Sequence, residues 1–188
     1  MQSAPEKFGP VAIFLHWAIA LLIAVTVVFG LIVGDADDAE ATQQALAIHQ
    51  SIGVSIVLLA AFRLIWRLFH PAPALPIGTP RSQRVAAAAT HGLLYVTLFA
   101  LPITGYVGLA ARGRDITVYG LFDLPRIVPL GLRLSHRFQT LHDNGQYLLY
   151  ALLVAHVGAA LYHHFILKDA ILRRMLPQIG QKSPRDVL

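Results

Sequence analysis

The chain has 188 residues, of which 56% are hydrophobic and only 13% are charged, and its mean hydropathy is +0.60. A soluble domain of this size would carry about 25% charged residues, so the composition indicates a membrane protein. The lack of cysteine excludes disulfides, iron–sulfur clusters, thiolate metal sites and covalently attached haem. The net charge of +5 does not indicate nucleic-acid binding, because the 15 Lys and Arg lie between apolar segments.

Four apolar stretches follow one another, and each is long enough to cross a bilayer as a helix. We predict an all-α, four-helix membrane bundle that forms one domain over residues 1–188, with spans at about 11–33, 45–69, 85–110 and 141–167. Pro10 suits a helix start, and Pro71 should end the second span. Pro102 predicts a kink near residues 99–101.

The segments between the spans differ in character. An acidic run that includes Asp35, Asp37, Asp38 and Glu40 follows the first span. The long connection 112–135 is rich in Gly, Pro and Arg, and its ITVYGLFDLP sequence predicts a short extended or interfacial piece. A basic tail follows the fourth span.

Lys and Arg predict the orientation of the bundle. Ten of these residues lie on the side of the membrane that holds both termini. The other five are all Arg, and they lie in the second loop of the opposite side. The positive-inside rule therefore places both termini in the cytoplasm and the loop 112–135 outside.

Apart from two at the end of span four, five histidines lie within the spans, at two depths. His49 and His142 lie near the outer ends of spans two and four, whereas His16, His91 and His156 lie nearer the cytoplasmic side. His142 and His156 are fourteen residues apart, which corresponds to about 21 Å of rise along a helix. Fourteen residues also make close to four whole turns, so the two side chains lie on the same face of the helix. Polar rings in a bilayer are costly and are usually functional or paired.

Imidazoles at matched depths on facing helices are what bis-histidine iron requires. The outer level offers one pair of histidines, His49 and His142. Depth alone does not choose two of the three inner rings, and the third could hydrogen-bond a haem propionate or line a quinone pocket. The remaining histidines lie at span ends or in loops, and we interpret them as interfacial: His70, His136, His163 and His164.

Four glycines lie at ligand depth: Gly30, Gly53, Gly105 and Gly145. They could admit a porphyrin against helix backbone, or they could only reflect close helix packing. Arg63 lies fourteen residues after His49, where it could pair with a propionate.

Several ordered motifs resemble the bacterial cytochrome b561 family, which is grouped with the cytochrome b subunits of nickel-iron hydrogenases. They cover nearly the whole chain: FLHW at 14–17, IHQSIG at 48–53, RLIWRL at 63–68, HGLLY at 91–95, LPITGY at 101–106, LHDNGQY at 141–147 and AHVGAALYHHFILKDAILRRM at 155–175. The resemblance implies a multi-pass protein of the bacterial inner membrane that binds two non-covalent b-type haems. It implies His16 with His156 as inner ligands and His49 with His142 as outer ligands, without His91.

The family also implies electron transfer between a periplasmic-side donor and the membrane ubiquinone pool, and one branch resembles a superoxide oxidase. The Arg-rich loop could attract such an anion, or it could be a solvated connector. Trp17, Tyr106 and Tyr147 could line a quinone site, or they could form an interfacial belt. No catalytic residue is assigned.

Three hypotheses follow. The protein is a self-sufficient quinone-linked oxidoreductase with superoxide as the leading donor. Alternatively, it is a membrane cytochrome subunit that serves a separate dehydrogenase or periplasmic redox protein. In the third, it is a non-redox module that transports metal through pairs of histidines, although it lacks the intramembrane carboxylates that transporters often use, the nearest being Asp143 at a span end.

Overall fold

The computed structural model describes residues 7–35, 38–74 and 78–177. Four long helices account for most of it: α1 (Pro10–Asp35), α2 (Ala39–Phe69), α3 (Arg81–Ala111) and α4 (Leu132–Phe165). Each is long and apolar enough to cross a membrane, which confirms the four predicted spans. Asp37 and the tail beyond residue 177 lie outside the described residues.

The helices extend past the apolar stretches that predicted them. α1 begins at Pro10, as expected. The backbone N–H groups of a helix's first turn have no partner within the helix, so proline, which lacks an N–H, is tolerated there. α2 begins six residues before its predicted span because Asp38 caps it, accepting hydrogen bonds from the N–H groups of Glu40 and Ala41. α4 begins nine residues early, at Leu132, so its first turns are polar and lie outside the apolar stretch.

Two prolines act on the helices in different ways. α2 ends before Pro71, with His70 at its C-cap, where the His70 ring stacks on Trp66 with 3.9 Å between ring centroids. α3 continues through Pro102 as a single helix. The kink near residues 99–101 remains a prediction.

The bundle consists of two helical hairpins, because the most extensive packing joins α1 to α2 and α3 to α4. A small apolar core unites them: Ile19, Ile23, Ile52, Ile56, Ala60 and Leu149. The outer surfaces of the helices are apolar and exposed, as at Leu58 and Val154. That pattern is expected where lipid replaces water around the bundle.

The loop between α3 and α4 contains a two-stranded antiparallel hairpin, β1 (Thr117–Val118) and β2 (Phe122–Asp123), which confirms the predicted extended piece. Its turn places Tyr119 at φ 50°. The Tyr119 N–H donates to Oγ of Ser51 (2.9 Å), and its hydroxyl lies 2.8 Å from Oγ of Ser55. The hairpin is thereby anchored on the outer half of α2.

A short 3-10 helix, η1 (Leu172–Met175), follows α4 at the other end of the bundle. Nε1 of Trp17 donates to the carbonyl of Met175 (2.7 Å), and the Phe8 N–H donates to the carbonyl of Arg174 (3.4 Å). The chain after α4 therefore packs against the start of α1.

Candidate cofactor site between the helices

His49 and His142 face each other across the outer half of the bundle. Their ring centroids lie 5.9 Å apart, and the ring planes are inclined at 79°. Both rings line a cavity of about 540 Å³, within the usual range of ligand sites. Its walls come from all four helices and from the α3–α4 loop, and they are mainly apolar.

Each outer ring is oriented by a backbone carbonyl of a neighbouring helix. Nδ1 of His49 lies 2.9 Å from the carbonyl oxygen of Thr26 on α1. Nδ1 of His142 lies 2.8 Å from the carbonyl oxygen of Leu101 on α3. A carbonyl can only accept, so each Nδ1 carries the proton and each Nε2 keeps a lone pair for a metal.

Two glycines allow this close approach. A Cβ on Gly30 would lie 3.1 Å from Cε1 of His49, and one on Gly105 would lie 3.1 Å from Nδ1 of His142. Each glycine follows, by four residues, the carbonyl that its histidine contacts. An imidazole ring therefore lies where a side chain would begin at each of these two positions, and both glycines also line the outer cavity.

The other two glycines at ligand depth face α3, and Gly53 also lines the outer cavity. A Cβ on Gly145 would lie 2.8 Å from Cδ2 of Leu101, and one on Gly53 would lie 3.9 Å from Cβ of Pro102. Both positions therefore bring a helix close to α3.

Three imidazoles meet at the inner level. The centroids of His16 and His156 lie 6.0 Å apart with planes at 69°, and those of His91 and His156 lie 5.2 Å apart. Arg63 lies at the same end of the bundle, where its Nη1 donates to the carbonyl of Ala12 (2.8 Å) and its Nε donates to the hydroxyl of Tyr95 (3.2 Å). The guanidinium thus has two backbone or hydroxyl partners, and its pairing with a propionate stays a prediction.

The separations of the rings can be tested against metal ligation. A histidine nitrogen binds a metal at about 2 Å and lies about 1.1 Å from its ring centroid, so opposed ligands of one metal have centroids about 6 Å apart. His49–His142 at 5.9 Å and His16–His156 at 6.0 Å fit this spacing. The 5.2 Å between His91 and His156 is shorter. The residues present therefore fit two bis-histidine haem irons, with His91 beside the inner one.

The remaining histidines have other surroundings. His163 bonds through Nδ1 to the Asp169 carboxylate, and His136 is exposed. His164 has a buried Nδ1 without a hydrogen-bond partner among the described residues. No group of three or more His, Asp or Glu side chains within that part of the chain is placed to hold a metal ion.

The aromatic residues considered for a quinone site lie in three different places. Tyr106 lines the outer cavity, but its hydroxyl donates to the carbonyl of Pro125 (2.6 Å) and accepts from the N–H of Ile127 (3.1 Å). Tyr147 is exposed on the bundle surface, and Trp17 contacts Met175 at the terminal side. They do not form one site.

Sequence reasoning missed the residues that orient the histidines. Thr26 and Leu101 act through backbone carbonyls, which leave no side-chain pattern. It also treated the loop arginines as a group, whereas Arg114 alone among them lines the cavity. The spacing of Gly30 and Gly105 was the one available signal, and the sequence left it open between porphyrin space and helix packing.

Comparisons with known proteins agree with this architecture. The family model described as prokaryotic cytochrome b561 matches residues 7–178. The chain is 34% identical to cytochrome b561 homolog 2 of Escherichia coli K12, over 93% of both chains. It is 30% identical to homolog 1 of the same organism, over 92% of this chain and 98% of that one. It is 29% identical to the "Probable superoxide oxidase CybB" of Yersinia pestis, over 92% of this chain and 97% of that one.

Four membrane-spanning helices, histidine pairs at two levels and a family match over nearly the full length lead to one conclusion. The chain belongs to the prokaryotic cytochrome b561 family, and it is a multi-pass electron-transfer protein of the bacterial inner membrane that binds b-type haem.

Proposed function

We propose that the protein holds two b-type haems, one between His49 and His142 and one between His16 and His156, and conducts single electrons across the membrane. The observation that carries this proposal is the pair of centroid separations, 5.9 Å and 6.0 Å, at two levels of one bundle. α4 contributes a ligand to each level. Since His142 and His156 are fourteen residues apart, the two sites are separated by about 21 Å of helix rise.

Bound haem supplies reversible one-electron chemistry between ferric and ferrous iron. Two histidines on each iron leave no open position, so the ligand set favours electron transfer over binding of a substrate to the metal. The carbonyls of Thr26 and Leu101 hold the outer rings in one orientation and raise their basicity. The apolar cavity walls exclude water and help to set the potential.

The direction proposed is from a periplasmic-side donor to ubiquinone. Superoxide is the leading donor, supported by the name of the Yersinia pestis relative and by the positive loop between α3 and α4. The topology that this requires puts both termini in the cytoplasm, as the Lys and Arg distribution predicts. A cytochrome subunit that serves a separate redox protein is the second candidate, since the relatives named only as cytochrome b561 homologs carry no donor in their names.

The first test is a reduced-minus-oxidised spectrum of the purified protein with a haem-to-protein ratio. Two b-type haems per chain are expected, and a ratio of one or none contradicts the di-haem proposal. The second test is a donor screen in vesicles that contain ubiquinone. Haem reduction by superoxide alone, followed by quinone reduction, supports the self-sufficient enzyme. Reduction only after a protein partner is added supports the subunit.

A further inference from the structure

The outer cavity contains very little formal charge. Among the described residues that line it, Arg114 is the one Lys or Arg and Asp143 is the one Asp or Glu. Arg114 belongs to the α3–α4 loop, as do Ile116 and Leu124, which also line the cavity. Arg114 is exposed where it lines this mainly apolar cavity, so a cation stands beside it that can attract an anionic group.

The backbone holds Arg114 in place at the end of α3. The N–H of Gly113 donates to the carbonyl of Ala110 (3.0 Å), and the N–H of Arg114 donates to that of Leu109 (3.2 Å). Gly113 has φ +84°, a left-handed conformation that suits a helix C-terminus and that side chains rarely adopt. The start of the Arg114 side chain is therefore fixed beside the cavity rather than carried on a free loop.

Nearby carboxylates have other partners. Asp115 forms an ion pair with Arg126 (2.9 Å), which also donates to the carbonyl of Gly113 (3.3 Å). Asp143 accepts a hydrogen bond from Nε2 of Gln139 (2.9 Å). Arg114 makes no ion pair within the described part of the chain. Among the described residues that line the cavity, Arg114 is thus a cation whose charge no carboxylate offsets.

We propose that Arg114 binds a propionate carboxylate of the haem held by His49 and His142, an inference that rests on the di-haem function proposed above. A b-type haem combines an apolar macrocycle, which suits the cavity walls, with two carboxylates, which need a polar partner. Guanidinium binds carboxylate through two parallel hydrogen bonds, and that fixed geometry orients the group it holds. Arg112 does not line the cavity and remains available to a soluble anion.

A soluble anionic donor is the other source of the same chemistry, and the two sources predict different results. A propionate contact acts on the resting protein, because a cation beside the haem favours the reduced form. A donor contact acts only on the rate at which the donor is consumed. The experiment therefore measures haem potentials and haem retention with no donor present.

The variants are Arg114→Gln, Arg114→Lys and the matched control Arg112→Gln, each purified as the full chain in detergent. Redox titration at the haem bands gives the potential of each haem, and repeated detergent washing followed by haem assay gives retention. Arg114→Gln is expected to lower one of the two potentials and to speed loss of one haem, with Arg114→Lys between it and the wild type. Arg112→Gln should match the wild type.

Potentials and retention of Arg114→Gln equal to those of Arg112→Gln would overturn the proposal, even if superoxide consumption slowed, since that result assigns Arg114 to the donor. If Arg114→Gln loses both haems through misfolding, the potentials of Arg114→Lys decide: an unshifted pair overturns the proposal, and one lowered potential supports it. Wild-type protein with fewer than two haems would instead refute the proposed function.

Discussion

Nδ1 of His142 on α4 lies 2.8 Å from the carbonyl oxygen of Leu101 on α3. The same relationship occurs in the other helical hairpin, where Nδ1 of His49 on α2 lies 2.9 Å from the carbonyl of Thr26 on α1. In both hairpins a glycine lies four residues after the carbonyl and directly against the ring. One local arrangement thus positions both candidate ligands of the outer site.

His49→Ala is expected to remove one haem and leave the other, because the outer level offers only two of the intramembrane rings. The haem-to-protein ratio should fall from two to one, measured on the purified variant. His136→Ala is the control, since His136 is exposed on the early turns of α4. Retention of both haems by His49→Ala would refute the outer-ligand assignment.

Gly105→Ala is expected to disturb the outer site. Its Cβ would lie 3.1 Å from Nδ1 of His142 and 3.2 Å from Cε1, so the ring must shift or lose its bond to Leu101. Loss of outer haem or a changed outer potential should follow, observed by redox titration.

Gly92→Ala is the matched control on the same helix, because a Cβ there meets nothing within 4 Å. Glycine in a helix interior is about 0.5–1 kcal/mol less favourable than alanine, so this variant should be neutral or slightly more stable. Equal behaviour of the two glycine variants would contradict the steric role of Gly105.

His91→Ala is expected to retain two haems, whereas His156→Ala should lose the inner one. The reason is the separation of the rings: 6.0 Å between His16 and His156 suits a shared metal, and 5.2 Å between His91 and His156 does not. Haem content of the two variants, together with His16→Ala, measures this. A haem lost in His91→Ala and kept in His16→Ala would show that His91 is the inner ligand.

Ser51→Ala is expected to loosen the β1–β2 hairpin from α2. Ser51 is only 2% exposed, and its Oγ accepts the Tyr119 N–H at 2.9 Å. The bond is partly buried, and a typical hydrogen bond contributes about 0.5–1.5 kcal/mol to stability. Hydrogen exchange of the amides in residues 117–123 should accelerate, while exposed Ser82→Ala should have no such effect. Unchanged exchange in Ser51→Ala would mean that other contacts hold the hairpin.

The sequence predicted the spans well because hydropathy is a local property and a bilayer requires about 20 apolar residues per helix. It predicted helix ends less well. Asp38 lengthens α2 by capping, through bonds that hydropathy does not record, whereas α4 begins at Leu132 among arginines without a side-chain cap. Hairpin β1–β2 was foreseen as a short extended piece, but its attachment to Ser51 and Ser55 was not.

By itself the sequence determined the class of protein, the number of spans and the depth of each histidine, because composition and rise per residue depend on neither packing nor neighbours. Depth is a single coordinate, so it left His16, His91 and His156 equivalent. Only the tertiary structure decided which rings lie 5.9 Å and 6.0 Å apart, and which backbone carbonyls orient the outer pair. The ring separations and the carbonyl contacts depend on how the helices are rotated and paired. They therefore depend on contacts between residues that are far apart in the chain.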